Sequence, residues 1–141
     1  MRVMVIVKAN KDSEAGKLPD EKLLTEMSKF NEQLIKAGVL IGMDGLRPSS
    51  SGARVRFSGG KKTVVDGPFA ETKELIAGYW VWQVKSKEEA IEWLKRAPFQ
   101  EGEVEIRQVF ETAEFAESDP TGEIRKHEDQ LRKKIESQQR R

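Results

Sequence analysis

Three carboxylates and one aromatic cluster are the side chains in this sequence best suited to chemistry. Asp66 opens Asp66-Gly67-Pro68-Phe69, with Glu71 and Lys73 close behind and Asp44 further upstream. General acid–base work needs a titratable group held in a cleft. Asp66 follows the β-branched run Thr63-Val64-Val65 and precedes Gly-Pro, where Gly permits positive φ and Pro fixes φ, so its carboxylate is set on a rigid turn. Glu71 and Lys73 are two apart, and on an extended segment both point to one side. Tyr79, Trp80 and Trp82 then offer flat apolar walls for a planar ligand. Each group also has a purely structural role open to it. Asp-Gly-Pro is a good turn in its own right, Asp44 between Gly42 and Gly45 fits a turn as well as a binding site, and the tryptophans fit a core.

Other chemistries find little support. With no cysteine there is no disulfide, thiol nucleophile or thiolate metal site. The single histidine, His127, stands among charges near the C-terminus and reads as a solvated side chain. No metal and no cofactor are expected: no calcium-loop spacing occurs, and Ser58-Gly59-Gly60 lacks the helix that follows a phosphate loop. No Ser–His or Cys–His pair can form around a cleft. The 25 basic and 24 acidic side chains leave a net charge of +1, which gives no long-range attraction to nucleic acid or an anionic membrane. Arg54, Arg56, Lys61 and Lys62 crowd together, either as an anion-binding strip or as the solvated face of a hairpin. No apolar run approaches the ~20 residues of a membrane span, and the N-terminus lacks the order of a secretory leader. A cytoplasmic protein is the expectation.

The elements that must position these groups follow from periodicity. Arg2 to Lys8 is a strand, with Val3, Val5 and Val7 on one face and Met4 and Ile6 on the other. Asn10 to Gly16 is a polar surface loop. Pro19 to Ala37 is a helix with Leu23, Met27, Phe30 and Leu34 on its stripe and Gly38 as its stop. Val39 to Leu46 is a strand interrupted by two glycines. Arg54 to Val65 is a hairpin turning at Ser58 to Lys61. Leu75 to Val84 is a strand apolar on both faces: Ile76, Trp80, Trp82 and Val84 on one, Leu75, Ala77, Tyr79 and Val81 on the other. Ser86 and Glu89 form a capping box for a second helix with Ala90, Ile91, Leu94 and Ala97 inward. Glu103 to Val109 is a one-sided strand, suited to an edge.

A chain of 141 residues is long enough for one core. The order strand, helix, strand, inserted hairpin, strand, helix, strand is α+β, the split βαβ or ferredoxin-like pattern. Its two central strands are the two that are apolar on both faces. Two helices cover one face of such a sheet, so a second copy is expected on the other, as a homodimer. Residues 1–112 form this domain, and residues 113–141, dense in Glu, Lys, Arg and Gln, form a helical C-terminal extension with a thin stripe of Ile124, Leu131 and Ile135.

The stretch Asp66-Gly67-Pro68-Phe69-Ala70-Glu71-Thr72-Lys73-Glu74, followed by Gly78-Tyr79-Trp80, resembles the signature of the YCII-related family, in its subgroup named for Asp-Gly-Pro-Phe. Gly45-Leu46-Arg47-Pro48-Ser49 resembles a second segment of that family. The resemblance spans about Met1 to Phe110. It implies a dimeric α+β barrel made by two sheets packed face to face. In some relatives an aspartate at the position of Asp66 partners a histidine from the first part of the chain. Met1 to Phe110 holds no histidine here, so only Asp66 carries over. Related barrels include isomerases, oxygenases and dehydrochlorinases of small ring compounds, and subgroup relatives are associated with alternative sigma factors. The expectation is a small-molecule-binding homodimer, with Asp66 as acid or base and Asp66, Gly67, Pro68, Phe69, Glu71, Lys73, Tyr79 and Trp80 around the ligand. The alternative is an accessory or regulatory protein that acts through protein contacts without catalysis.

Overall fold

The computed structural model describes residues 1–139. Its frame is a pair of antiparallel strands, β1 (Arg2–Lys8) and, far along the chain, the strand Ile76–Gln83, in register from Arg2 opposite Gln83 to Val7 opposite Gly78. Between them in sequence come the one-turn helix α1 (Lys11–Glu14), helix α2 (Glu21–Lys36), strand β2 (Leu40–Gly45), and the hairpin β3 (Ala53–Ser58) with β4 (Lys61–Asp66). Ile76–Gln83 is therefore β5; helix α3 (Lys87–Leu94) and strand β6 (Val104–Gln108) follow it. The sheet order is β2-β5-β1-β6, with every pairing antiparallel. With the hairpin set aside, this is the order of a split βαβ unit. The one-sided strand β6 lies at an edge, as its pattern predicts, and the pairing of β2 shifts register between Leu40 and Gly42.

Local chemistry sets the helix ends. The Asp20 carboxylate accepts the Leu23 N–H at 2.8 Å and caps α2, so the helix starts at Glu21 and Pro19 lies outside it, two residues later than its position as a first-turn proline predicts. Gly38, at φ +72°, closes it. Ser86 Oγ accepts the Glu89 N–H at 3.1 Å and caps α3. The Glu89 carboxylate reaches back to the N–H of Lys85 at 2.7 Å, one residue short of the expected reciprocal bond to Ser86.

The core sits between one sheet face and helices α2 and α3. Val3, Val5, Trp80, Trp82 and Val84 from the strands meet Phe30, Leu34 and Ala90 from the helices. Phe30 stands edge-on to both tryptophans, at 5.9 and 6.3 Å between centroids, and the tryptophans tilt together at 5.7 Å. Trp80 Nε1 donates to Asn31 Oδ1 at 2.9 Å, which lets that indole enter the core with its N–H satisfied. Ile91, expected on the inner stripe of α3, lies on its exposed side.

The hairpin turns at Gly59-Gly60, both at positive φ (+55° and +83°), as a two-residue turn between twisted strands requires. Its register puts Val55 opposite Val64, Phe57 opposite Lys62 and Ala53 opposite Asp66. Arg54, Arg56 and Lys61 therefore share one face and Lys62 takes the other, so the four basic residues form no single strip. The apolar face with Val55, Phe57 and Val64 is exposed. Where the chain leaves β4, Gly67 passes against the backbone of Ser49: a Cβ there would sit 1.7 Å from the Ser49 carbonyl oxygen.

Residues from Val109 onward form a second compact unit. A 3₁₀ stretch (Thr112–Ser118) leads to helix α4 (Glu123–Gln139). Asp119 joins them: its carboxylate accepts the N–H groups of Ile124 and Arg125 and the Arg125 Nε, and Arg125 Nη2 donates back to the Asp119 carbonyl at 2.8 Å. These bonds, the Arg125 N–H first, hold the Asp119 carboxyl below its ordinary range. Asp119 thus fixes the start of α4. On α4, Ile124 and Ile135 are exposed and Leu131 is half-buried.

Three substitutions test this packing. Leu34 is fully buried, and Leu34→Ala should cost about 2–5 kcal/mol, read as a lower urea midpoint at unchanged slope. Gly67→Ala should destabilise more than Gly59→Ala, since the first drives a methyl into backbone and the second meets only the φ strain of open space, about 1 kcal/mol. Equal urea midpoints for the two glycine variants would contradict the close approach at Ser49.

Candidate functional site

Three connections meet at one end of the sheet: those after β1, after β2 and before β5. Backbone bonds tie them there, Ala9 N–H to the Leu75 carbonyl and Leu46 N–H to the Ala77 carbonyl, both at 2.8 Å. Ser49 is the junction. Its N–H donates to Glu14 Oε2 at 2.8 Å, its hydroxyl donates to Glu14 Oε1 in a short bond, and the same hydroxyl accepts the Phe69 N–H at 3.0 Å. The Ser49 hydroxyl, and after it the Ser49 N–H, lowers the Glu14 pKa. On the far side Gly67 donates its N–H to the Gly52 carbonyl at 3.0 Å, and the Gly67–Pro68 peptide is cis. The turn predicted from Asp-Gly-Pro is thus real, and it is bound to the loop after β2.

The segment Asn10 to Gly16, expected to be a surface loop, is instead the anchor of this junction. Asn10 Oδ1 accepts the Ser13 N–H at 2.8 Å while Ser13 Oγ accepts the Asn10 N–H at 2.9 Å, which fixes α1 and delivers Glu14. Asn-x-x-Ser was the available signal for the helix. Nothing local signalled the bond from Glu14 to Ser49, 35 residues away.

Around the turn the predicted residues separate into those brought together and those not. Phe69 is half-buried, the Arg54 guanidinium lies 3.8 Å above its ring, and Arg54 Nη1 reaches Glu71 Oε2 at 3.5 Å. Arg54 was not among the expected site residues; its position one strand before the turn gave no hint of the stack. Asp66 is exposed, and among the described residues its carboxylate has no hydrogen-bond or ion-pair partner. Lys73 falls in a 3₁₀ turn (Thr72–Glu74), so it does not share the extended side with Glu71 that the two-residue spacing predicts.

Tyr79 and Trp80 lie on opposite faces of β5. Trp80 is buried in the core, away from solvent, so the aromatic walls expected from Tyr79, Trp80 and Trp82 do not line one site. Tyr79 instead donates its hydroxyl to Asp44 Oδ2 at 3.1 Å, a bond that raises the Tyr79 pKa and gives Asp44 its place. Strand alternation puts Met4, Ile6, Ala77 and Val81 on this same second face, and Met4, Ile6 and Val81 are absent from the core cluster. Glu105 stands at its border, bonded to Arg107 at 3.3 Å and Lys8 at 3.5 Å, which together hold its carboxyl low, Arg107 foremost.

A groove of about 500 Å³ in the second unit, lined by Thr112, Arg125, Lys126, Asp129 and Lys133, contains none of the predicted site residues. Its Arg125 is already committed to Asp119. Among the described residues no three His, Asp or Glu side chains gather as a metal site, and no helix is long and apolar enough to cross a membrane.

Comparison with known proteins places this geometry. An uncharacterised protein of Rhizobium meliloti (strain 1021) is 34% identical over 95 residues, 65% of this chain and 77% of that protein. The 5-chloro-2-hydroxyhydroquinone dehydrochlorinase of Burkholderia phenoliruptrix AC1100, solved in complex with 2,5-dihydroxybenzoquinone, aligns with 80% of this chain and 98% of its own at 14% identity and a TM-score of 0.39. The sequence model of the YCII-related domain matches residues 1–116, the whole sheet and the turn included, and the chain belongs to that family.

Proposed function

We propose that this chain is a small-molecule-binding homodimer of the Asp-Gly-Pro-Phe subgroup, with its ligand held at the turn Asp66-Gly67-Pro68-Phe69. The observation that carries the reading is the Asp66 carboxylate, exposed and unpartnered on a turn that is moored on both sides. A free acceptor on a rigid support is what recognition of a ligand O–H or N–H requires, and what a general acid or base requires. Phe69 with Arg54 above it offers a flat, polarised neighbour for a small ring compound, and Glu71 holds that guanidinium in place. Lys73 and Tyr79 border the same end of the sheet; Trp80 supports it from the core.

The dimer rests on the second sheet face. Met4, Ile6 and Val81 sit on the two central strands with no place in the core cluster, and a second sheet packed on them would make a dimeric α+β barrel. An accessory role through protein contacts is favoured by one other feature, the exposed Phe110, Phe115, Ile124 and Ile135 of the second unit.

Thermal shift against catechol, hydroquinone and aniline, with Asp66→Ala beside the wild type, tests the site. A ligand at 100 times its Kd adds about 2.7 kcal/mol of stability, and that gain should vanish in a folded Asp66→Ala. A gain retained in full by the variant would remove Asp66 from the site. Light scattering tests the dimer: the wild type should weigh twice the 16.0 kDa chain, and Val81→Glu should weigh one chain, because burying an unpaired charge costs several kcal/mol.

A further inference from the structure

We infer that Glu14 is a positioning residue for the turn at Asp66-Gly67-Pro68-Phe69, acting through Ser49. The inference deepens the proposed site and rests on that reading for what the turn holds, whereas the tether itself stands on its own geometry. Glu14 uses both carboxylate oxygens on a single residue: Oε2 takes the Ser49 N–H and Oε1 the Ser49 hydroxyl proton. That fixes the hydroxyl rotor. With its proton given to Glu14, the Ser49 oxygen turns a lone pair to the Phe69 N–H. A hydroxyl that donates to a carboxylate is a better acceptor, so the two bonds strengthen one another. The carbonyl of the same serine is the atom against which Gly67 packs. One residue therefore grips the turn by its hydroxyl and its carbonyl, and Glu14 decides the orientation of the first.

The tether depends on the ionised carboxylate. Protonated Glu14 keeps one oxygen as a hydroxyl donor and can no longer accept both Ser49 bonds. Because its folded pKa is lowered, the contribution is complete above the ordinary value of 4.5 and is lost as pH falls through the lower folded value. The charged groups on the segments that meet here are Lys11, Asp12 and Lys17 around α1, Arg47 ahead of Ser49, Arg54 on β3, and Asp66, Glu71 and Lys73 along the turn. Lys17 pairs with Asp12 at 3.9 Å and Arg54 with Glu71 at 3.5 Å, which leaves the Ser49 bonds as the interactions that set Glu14.

The test is an amide NMR titration of the full-length protein from pH 6.5 to 3. In the wild type the Ser49 and Phe69 amide protons should move together with one midpoint below 4.5. Asp12→Asn, Asp66→Asn and Glu71→Gln should leave that curve in place, and Glu14→Gln should abolish it at both amides. Ser49→Ala should speed Phe69 amide exchange about fivefold, the factor for one ordinary hydrogen bond, and Ser49→Thr, which keeps the hydroxyl, should restore it. A Phe69 amide that stays flat while Ser49 titrates overturns the inference, and so does full Phe69 protection in Ser49→Ala. The outcome of a flat Phe69 amide is read in the wild type, so it counts even where a variant fails to fold. A tether that titrates as described, with no stabilisation by catechol, hydroquinone or aniline, supports this inference and counts only against the ligand site.

Discussion

The pairing of β1 with β5 is the constraint on which everything else rests. The two strands run side by side over their whole length, and both are apolar on both faces. A strand of that kind must be covered twice. On one side α2 and α3 do this, with Trp80, Trp82, Phe30 and Leu34 in the core between them and the sheet. On the other side the chain offers Met4, Ile6 and Val81 with Tyr79 and Asp44 beside them and Glu105 at the border. That border is ordered by its own charge pairs, so the apolar centre of the face is framed by polar groups that are already satisfied.

The same pairing decides where the turn can be. β5 starts at Ile76, and Leu75 and Ala77 accept backbone bonds from the loops after β1 and β2. The hairpin must therefore return to the sheet at the end where those two loops lie. Gly67 makes the return possible, because no side chain fits between its Cα and the Ser49 carbonyl. Gly59 and Gly60 serve a different purpose, since positive φ is the whole of their requirement. Two kinds of glycine thus shape one hairpin, one by close approach and one by backbone sign.

What was legible in the sequence follows the range of the interactions. The strands announced themselves by alternation, and the sheet order followed from Val3, Val5, Met4 and Ile6 matching the two-sided pattern of Trp80, Trp82, Tyr79 and Val81. Gly38 and Ser86 end and begin helices by local bonds, and both were readable. Glu14 was not, because its partner is a serine brought near only by the fold. Lys73 misled for the opposite reason: spacing gives a side only if the backbone is extended, and Thr72–Glu74 is a 3₁₀ turn. Tyr79 and Trp80 misled as a pair, since the alternation that sets them on opposite faces also keeps them from lining one site.

The carboxylates around the turn divide by what they hold. Glu14 spends both oxygens on Ser49, and Glu71 is directed at Arg54, which in turn lies over Phe69. Each of these carboxylates holds a part of the turn and is satisfied by what it holds. Asp66 stands between them in the chain with neither task. A buried carboxylate left so would be costly, but an exposed one is solvated and loses little. The fold therefore tolerates one unassigned acceptor at its most constrained turn because water supplies the missing bonds. A ligand that displaces that water must return a hydrogen bond of equal quality, which favours a neutral or cationic donor over an anion. Arg54 does not reverse that preference, since its charge is already matched by Glu71. Under the proposed site, these electrostatics favour phenolic, enolic or amine hydrogens as the groups Asp66 would accept.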